Sequence, residues 1–475
     1  MRIIILLFIC SLCHSQISNI ANGNYIHNMN GKKYTMREYF EFIEHNKNLK
    51  NKFDLPSFVS VTDFGNIESN TLQCINKAIE YSSKNSVEYV YLPIGEYEID
   101  HRIIMRKNVH LTGFSNKKSI VNQTNNQVTS VYYDIYDESP DINYTISNLC
   151  LKGTGYYDTS GYSNDPAENG IYLSSKVRNS LNNVVIKDVI IQDIDGAAIL
   201  SIYANNTLFE NCEVSNCNYT GYTSVSAICK IVNCNTNYTR TFIESVSSFH
   251  HDTLTYSEMK ITNCSSNNLL GYGIKHAGGD CVIIDSVNIS GNRNINLDQL
   301  HSEAYGVFLM SDSISYIIPV DSCVISNCNI DYMREGISIK QDSISADYGY
   351  LKIKESSINN TYYSGIRLSM YDENSNDSIV VKNVFMDSIN NGGAYADGAC
   401  IRLDNVNDVL ITSNTAKTVQ QSASRSAPLY ITNSTDLIIE DNNFTNEYPV
   451  SIWVTPDSSS IYQLNNLGIN GFQEF

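Results

Sequence analysis

Positive charge is scarce in this sequence, where 32 lysines and arginines stand against 50 aspartates and glutamates, a formal net charge of −18. This imbalance argues against nucleic acids and anionic membranes as partners, although a local basic strip can still bind an anionic sugar polymer. After the N terminus, no apolar run approaches the roughly 18 to 20 residues that a transmembrane helix needs. P-loops, dinucleotide fingerprints, zinc-binding helices and serine-hydrolase elbows are also absent, so nothing supports those enzyme classes.

The first 15 residues predict a signal peptide. Arg2 precedes an unbroken apolar run over residues 3–10, and a short stretch with small residues follows at 11–15. We therefore predict a protein that is secreted, periplasmic or held at the cell surface, with an N-terminal segment over residues 16–55. A lipid anchor on Cys10 or Cys13 is the weaker alternative, because neither follows the small-residue pattern that lipidation favours.

Short strand-like phrases recur from about residue 140 to 455. Each alternates apolar and polar residues, ends in Asn or Ser, and returns at a spacing near 30 residues, for example at 185–191 and 379–384. This pattern predicts a solenoid, in which each coil buries its inward side chains against its neighbours. We expect one such domain over residues 56–460, followed by a C-terminal tail over 461–475.

Cysteine recurs within these phrases. Of the 13 cysteines, eleven remain after the predicted signal peptide, and an odd number does not suit a complete disulfide framework. After residue 15 there is no Cys-x-x-Cys pair with histidine companions, which argues against a zinc site. Four of the cysteines that follow an Asn end a repeated apolar phrase, and we predict that they form one stack of buried, reduced thiols. These are Cys217, Cys234, Cys264 and Cys328.

A second phrase, usually Gly followed by a β-branched residue, precedes the first in most coils. The β-branched residue should point into the core and the next residue outward, because side chains alternate along a strand. The inward ladder is then Ile171, Ile199, Ile243, Ile274, Val307, Ile337, Ile366 and Ile401. The outward column is Tyr172, Leu200, Glu244, Lys275, Phe308, Ser338, Arg367 and Arg402. The long gap between Leu200 and Glu244 suggests a further coil near Ile228.

The N-terminal part resembles a known group of proteins. The sequence Val-Thr-Asp-Phe-Gly at 61–65, an amphipathic helix at 71–79, and Pro-x-Gly-x-Tyr at 93–97 resemble the opening of the pectate-lyase-like families, which include rhamnogalacturonases, polygalacturonases and pectate lyases. The resemblance implies an all-β fold, a right-handed parallel β-helix with a short N-terminal capping helix. The chain departs from these families in lacking the usual Asp-Thr pair before the helix.

Titratable residues concentrate between 244 and 303, where four of the nine histidines lie. A lyase removes the proton beside a uronate carboxylate, which needs a cation to stabilise the charge and a base to accept the proton. Lys275 or His276 is the base candidate, and only one of them can face the groove. His251 is a further base candidate, and Tyr272 or Tyr305 a proton donor. Four residues are predicted to contact the sugar, namely Arg367, Arg402, Phe308 and Tyr172.

Two other chemistries remain open at this stage. Hydrolysis needs two carboxylates flanking the glycosidic oxygen, which Glu244, Asp280 and Glu303 could supply. The Gly-Gly-Asp-Cys stretch at 278–281 faintly resembles a polygalacturonase element, but lacks its second Asp. Calcium, which many lyases of this fold use, would be held by Glu244 and Asp252, with Asp280 as a further candidate.

These observations predict an exported carbohydrate-active protein, a polysaccharide lyase or glycoside hydrolase acting on an acidic polysaccharide. Nucleic acid is not expected as a partner, and calcium is the one cofactor expected. Two alternatives remain: a uronate epimerase, which shares the proton-abstraction step, and a non-catalytic glycan-binding or adhesin-like β-helix.

Overall fold

A computed structural model describes most of the chain. The described residues are 26–27, 33–34, 58–125, 128–135, 142–155, 169–175, 181–247, 257–296, 304–311, 320–341, 349–370, 378–389, 399–417, 427–444, 452–468 and 472–474. Apart from the antiparallel pair β1 (Ile26–His27) and β2 (Lys33–Tyr34), every strand belongs to one parallel assembly.

A helical cap covers the N-terminal end of this assembly. A 3-10 helix, Val61–Phe64, begins at Ser60, whose backbone N–H donates to Asp63 Oδ2 at 3.1 Å. The helix α1, Ile67–Asn85, follows and buries Ile75 and Ile79 against the first coil, because residues four apart share one face. The sequence predicted the cap but underestimated the length of the helix.

A complete coil contributes one strand to each of three parallel sheets, taken in chain order. Sheet 1 contains β3 (Phe58–Ser60), β4 (Tyr89–Leu92), β7 (His110–Gly113), β10 (Ile142–Ser147), β13 (Leu181–Lys187), β18 (Glu258–Thr262), β21 (Cys281–Asp285), β24 (Ser322–Ser326), β27 (Tyr350–Lys354), β30 (Ser378–Lys382), β33 (Asn407–Thr412), β36 (Thr435–Glu440) and β38 (Ile461–Leu464). Sheet 2 contains β5 (Gly95–Ile99), β8 (Ser119–Gln123), β11 (Cys150–Lys152), β14 (Ile190–Ile194), β19 (Ser265–Leu269), β22 (Asn288–Gly291), β25 (Asn329–Asp331), β28 (Ser357–Asn359), β31 (Phe385–Asp387) and β34 (Thr415–Ala416).

Sheet 3 closes each coil. It contains β6 (Ile103–Ile104), β9 (Val131–Ile135), β12 (Ile171–Ser175), β20 (Ile274–Ala277), β23 (Tyr305–Ser311), β26 (Glu335–Gln341), β29 (Ile366–Ser369), β32 (Ala399–Asp404), β35 (Ala427–Thr432), β37 (Ile452–Val454) and β39 (Phe472–Glu474). Three long strands bend from one sheet into the next, namely β15 (Ile199–Glu210), β16 (Glu213–Val232) and β17 (Asn235–Ser247). The fold is therefore the parallel β-helix that the sequence predicted. Strands β38 and β39 continue it into residues 461–475, the segment predicted as a tail.

The predicted inward ladder is confirmed. Its eight members are register partners on successive strands of sheet 3, and all are fully buried. The extra coil between Ile199 and Ile243 exists, but its inward residue is Tyr222. Ile228 belongs to the same coil but lies on sheet 1 beside Asn206, where it is partly buried.

From β10 onward, a two-residue turn joins sheet 1 to sheet 2 in every described coil. Its first residue is left-handed, with φ between 51° and 57°, a conformation that Asn adopts at low cost. The second residue points into the core. This geometry explains why Asn precedes Cys in the repeated phrase.

The cysteine stack is confirmed with one change of member. Cys234, Cys264 and Cys328 follow a left-handed Asn in the turn between sheets 1 and 2, and Cys212 does so as well. Cys217 was wrongly assigned, because it lies within sheet 2 opposite Ile194 and Thr239. All eleven cysteines from Cys74 onward are free, and burial raises the pKa values of Cys264 and Cys328 to about 12. These thiols are therefore neutral core residues.

The recurrent glycine before the inward residue has a steric cause. A Cβ atom on Gly273 would lie 2.3 Å from the carbonyl oxygen of Gly306, and one on Gly306 would lie 2.5 Å from that of Gly336. Successive coils thus approach each other too closely at Gly273 and Gly306 for a side chain, whereas other coils carry Ala198, Phe242 and Cys400 at the same position.

The connections that flank sheet 3 vary in length, whereas the turn between sheets 1 and 2 keeps two residues from β10 onward. They range from none within β15 to 18 residues between β11 and β12. Binding and catalytic residues concentrate on variable connections that a rigid scaffold positions. The outer face of sheet 3 is therefore the candidate location of a functional site. Among the described helices, none is both long and apolar enough to cross a membrane.

Candidate functional site

The outward column on sheet 3 has the register that the sequence predicted. Thr223 fills the gap between Leu200 and Glu244, and the column extends through Tyr132 at one end and Tyr430 and Trp453 at the other. Successive members lie about 4.8 Å apart at the backbone, which is the spacing of strands in a sheet. The prediction that every member of the column is exposed was wrong at two positions, because Phe308 and Ser338 are buried, with exposures of 7% and 0%.

Lys275 and Glu244 form an ion pair near the middle of this column. Lys275 Nζ lies 2.9 Å from Glu244 Oε1, and both side chains are partly exposed. The same ammonium group lies 5.2 Å from the centre of the Tyr272 ring. Lys275 is therefore held in place from two sides, by the Glu244 carboxylate and by the Tyr272 ring.

An aromatic cluster adjoins this pair. The ring centres of Tyr272 and Tyr305 lie 5.6 Å apart in a stacked arrangement, and Phe308 lies 4.9 Å from Tyr305. Lys340 Nζ lies 5.5 Å from the Phe308 ring on the far side. Two cations thus flank the cluster, and its partly exposed members, Tyr272 and Tyr305, offer aromatic surface of the kind that stacks on the apolar face of a sugar ring.

A second charged cluster follows along the column. Arg402 Nε donates to Asp404 Oδ2 at 2.9 Å, and Arg367 Nε lies 3.4 Å from the same oxygen. Arg367 also approaches a carboxylate on its other side, with its NH1 3.7 Å from Glu335 Oε1. The predicted subsite residues Arg367 and Arg402 are therefore brought together, and Glu335 and Asp404 hold them.

Several buried polar atoms of this cluster lack a hydrogen bond to any described residue. They are Glu335 Oε2, Ser338 Oγ and Arg367 Nε, whose approach to Asp404 does not have hydrogen-bond geometry. Buried polar groups are nearly always paired in native proteins, so three unsatisfied atoms in one place indicate that water or a ligand completes them. Sequence reasoning missed Glu335 and Asp404, which lie on the strand positions flanking the outward column.

Tyr172, at the other end of the column, stacks on Tyr132. Their ring centres lie 5.4 Å apart with an interplanar angle of 10°, and the Arg102 guanidinium lies 4.4 Å above the Tyr132 ring. Leu200 and Thr223 separate this pair from Glu244, so Tyr172 does not share a site with Lys275.

His276 faces the core, while Lys275 faces outward. Only 2% of His276 is exposed, its Nδ1 lies 2.8 Å from Ser245 Oγ, and its Nε2 has no described partner. Burial lowers its pKa to about 4. Of the two base candidates, Lys275 is the one positioned to meet a ligand on sheet 3.

The buried His276 makes stability depend on pH. The folded protein holds this histidine neutral down to about pH 4, whereas the unfolded chain protonates it below about 6.5, so unfolding takes up a proton between these values. Its contribution is complete above about pH 6.5 and is lost as the pH falls towards 4. Relative to His276→Gln, the wild type should lose about 2 kcal/mol of unfolding free energy between roughly pH 7.5 and pH 5. Urea denaturation of both proteins at the two pH values measures this difference. An equal change in unfolding free energy between the two pH values in wild type and His276→Gln would contradict it.

The remaining predicted residues do not join either cluster. Asp280 precedes sheet 1, where its carboxylate accepts from the Ser257 backbone N–H at 2.5 Å and from Ser257 Oγ at 3.1 Å. His251, Asp252 and Glu303 lie outside the described residues. Their proposed roles stay predictions.

The described residues do not fit a calcium site. Nowhere in the described part of the chain do three histidine, cysteine or acidic side chains come together in a metal-binding group. Glu244 offers one carboxylate, which Lys275 already neutralises.

Residues 58–269 match the family model described as rhamnogalacturonase A/epimerase, pectate lyase-like. Comparison with curated proteins gave no significant match.

Solved structures that align with this one include three with different activities. The catalytic unit of a thermostable GH87 α-1,3-glucanase from Streptomyces thermodiastaticus is 14% identical, with a TM-score of 0.46 over 87% of this chain and 69% of that one. The A-module of the Azotobacter vinelandii mannuronan C-5 epimerase AlgE6 is 13% identical, with a TM-score of 0.36 over 85% and 98%. The Streptococcus pneumoniae surface protein and adhesin PfbA is 12% identical, with a TM-score of 0.44 over 88% and 100%. This chain is a parallel β-helix whose region 58–269 is pectate-lyase-like in sequence, as its opening motif predicts.

Proposed function

We propose that the outer face of sheet 3 binds an acidic polysaccharide and cleaves it, by elimination or by hydrolysis. The observation that carries this proposal is the outward column, which aligns cations and aromatic rings along one face bordered by connections of variable length. A polymer lying across the coils would meet a new side chain about every 4.8 Å.

Charge supports an anionic substrate. Between Glu244 and Arg402 the outward side chains of sheet 3 include Lys275, Lys340, Arg367 and Arg402. Three carboxylates, Glu244, Glu335 and Asp404, lie among them. This small positive excess belongs to a protein of net charge −18, so it is a local feature suited to a uronate or sulfated sugar.

Elimination would centre on Lys275. The ammonium group neutralises the uronate carboxylate, which makes the adjacent ring proton more acidic. A base removes that proton, the electron pair forms a carbon–carbon double bond, and the glycosidic oxygen leaves with a proton from an acid such as Tyr272 or Tyr305. Lys275 itself can act as the base only if bound sugar displaces its pairing with Glu244. Otherwise its role is electrostatic, and His251 or a tyrosine accepts the proton.

Hydrolysis would centre on Glu335 and Asp404. Two carboxylates flanking a glycosidic bond can act as general acid and as base or nucleophile. These two approach different nitrogens of the Arg367 guanidinium, and Glu335 keeps one oxygen without a hydrogen bond to the described residues. This pair is a more specific candidate for hydrolysis than Asp280, whose carboxylate is occupied by Ser257.

One experiment separates the possible activities. The purified protein is incubated with pectin, alginate, a glycosaminoglycan and carrageenan, while ultraviolet absorbance of unsaturated uronate and new reducing ends are followed together. Absorbance with new ends identifies a lyase, and ends alone identify a hydrolase. If neither appears with any polymer, the cleavage proposal fails, and proton exchange at the uronate carbon or binding alone then separates an epimerase from an adhesin-like protein.

Arg402 provides a test of the subsite. It lies two coils beyond Ser338 and donates to Asp404. If cleavage is elimination at Lys275, Arg402 lies away from the reaction, and its side chain should contribute equally to ground-state and transition-state binding. We expect Arg402→Ala to raise KM roughly tenfold or more with little change in kcat, the scale for losing a charge-assisted hydrogen bond. Steady-state kinetics on the cleaved polymer measure both constants, with Lys354→Ala on sheet 1 as the control. A fall in kcat at unchanged KM would place Arg402 in the reaction instead.

A further inference from the structure

Sheet 2 carries a groove of about 890 Å³ that the proposed function does not use. It crosses strands β14, β16, β17, β19, β22 and β25, and the bend at Gly291–Asn294 contributes to its lining. Sheet 2 and sheet 3 are separate faces of the coil, so this groove is distinct from the column that contains Lys275.

The groove is lined by amide and hydroxyl side chains in register. One outward column on successive strands consists of Glu213, Asn235, Ser265, Asn288 and Asn329. A parallel one begins Gln192, Ser215, Asn237 and Asn267. Three apolar side chains also line the groove, namely Ile190, Val214 and Ile289, and all three are buried.

These amides retain unused hydrogen-bonding capacity. Asn235 Oδ1 accepts from Ser265 Oγ at 2.7 Å, and Asn237 Oδ1 accepts from Asn268 Nδ2 at 2.8 Å, which leaves both Nδ2 groups without an acceptor among the described residues. The side chains of Asn267, Asn288 and Asn329 make no hydrogen bond to any described residue. Each amide therefore offers donors and an acceptor side by side.

The charge of the lining restricts the ligand. Its charged members are Glu213, Arg293 and Asp331, and the last two form an ion pair with each other. An anionic polymer finds no uncompensated cation, a metal ion finds no set of carboxylates, and a protein partner finds no apolar or aromatic anchor. Vicinal hydroxyl groups of an uncharged sugar match paired amide donors and acceptors.

We propose that the sheet 2 groove binds a neutral polysaccharide chain. Five steps between six strands, at about 4.8 Å each, give the groove a length of roughly 24 Å, which suits an extended polymer better than a single sugar. The protein would then hold two polysaccharides on two faces, an acidic one on sheet 3 and a neutral one on sheet 2. This binding does not depend on the proposed cleavage activity.

Affinity electrophoresis tests the proposal on the full chain. The protein migrates through native gels that contain dextran, hydroxyethyl cellulose or galactomannan, and its mobility is compared with that in plain gel. The groove variant is Asn237→Ala with Asn267→Ala, both exposed positions. The control is Asn122→Ala, which also lies on sheet 2 but outside the groove. Circular dichroism verifies that each variant is folded.

At least one neutral polymer should retard the wild type and the control, and the groove variant should bind it about tenfold more weakly or worse, the effect of losing 1.4 kcal/mol. Arg367→Ala, on sheet 3, should keep this retardation. The proposal is overturned if no neutral polymer retards the wild type, or if retardation survives in the groove variant and is lost in Arg367→Ala. Failure of the cleavage assay leaves these outcomes unchanged, so the two proposals fail separately.

Discussion

Replacing Lys275 with alanine is expected to lower kcat by about 100-fold or more on the acidic polysaccharide that the protein cleaves, the usual scale for a positioned acid–base or charge-stabilising group. The reason is its position, since its ammonium group is fixed by Glu244 at 2.9 Å and by the Tyr272 ring on the face where the polymer would lie. Steady-state kinetics measure the loss. Lys382→Ala, an exposed lysine on sheet 1, is the matched control and should keep wild-type turnover.

Arginine at the same position separates the two roles of Lys275. Lys275→Arg keeps the positive charge but does not provide a neutral base, because the guanidinium group stays protonated. Substantial activity in Lys275→Arg indicates charge neutralisation, whereas a loss equal to that of Lys275→Ala indicates a base. Wild-type turnover in Lys275→Ala would remove this residue from the mechanism, and Glu335→Gln and Asp404→Asn would then be tested for hydrolysis.

Tyr222→Ala is expected to lower the free energy of unfolding by about 3 to 5 kcal/mol, the range for deleting a large buried aromatic side chain. Tyr222 is fully buried, its ring centre lies 5.7 Å from Phe209 and 6.0 Å from Phe242, and its hydroxyl donates to the carbonyl oxygen of Cys212 at 2.9 Å. Removing it opens a cavity directly beneath the coil that carries Glu244. Tyr222→Phe should cost only about 1 to 2 kcal/mol, because it removes the hydroxyl alone.

Chemical denaturation of the folded variants measures these differences. Tyr462→Ala is the control, since 56% of Tyr462 is exposed and its loss should change stability by no more than about 0.5 kcal/mol. A small effect of Tyr222→Ala would mean that neighbouring coils close over the space, and that the aromatic layer does not hold this part of the helix together.

The repeat made the inward ladder and the outward column accessible from sequence. A β-branched residue after Gly marks the inward position, and strand alternation then places Lys275, Arg367 and Arg402 on the outside. The same rule does not identify the inward residue of a coil in which no β-branched residue follows the Gly. Tyr222 follows Gly221 but is aromatic, so the further coil was predicted without its inward residue. Cys217 follows an Asn outside the turn between sheets 1 and 2, and was wrongly grouped with the cysteines of that turn.

The sequence predicted only the two arginines of the charged cluster around Arg367, and not its two carboxylates. Glu335 precedes the inward Ile337 by two residues and Asp404 follows Ile401 by three, so neither falls in the column that alternation identifies. Their contacts depend on long side chains reaching across coils to one guanidinium, which sequence spacing does not specify. Sequence reasoning missed the sheet 2 groove because Asn is common in turns, so these asparagines were interpreted as turn residues.

The sequence by itself determined that this chain coils into a parallel β-helix with an N-terminal cap, because each coil repeats one pattern of inward and outward side chains that only stacking can bury. It also determined which residues share the outer face of sheet 3. The tertiary structure decided the rest: that His276 lies in the core, that Glu244 neutralises Lys275, and that Glu335 and Asp404 hold Arg367. Those outcomes depend on side-chain reach and on the burial of individual atoms between coils some 30 residues apart in the chain, and strand alternation alone carries no information about either.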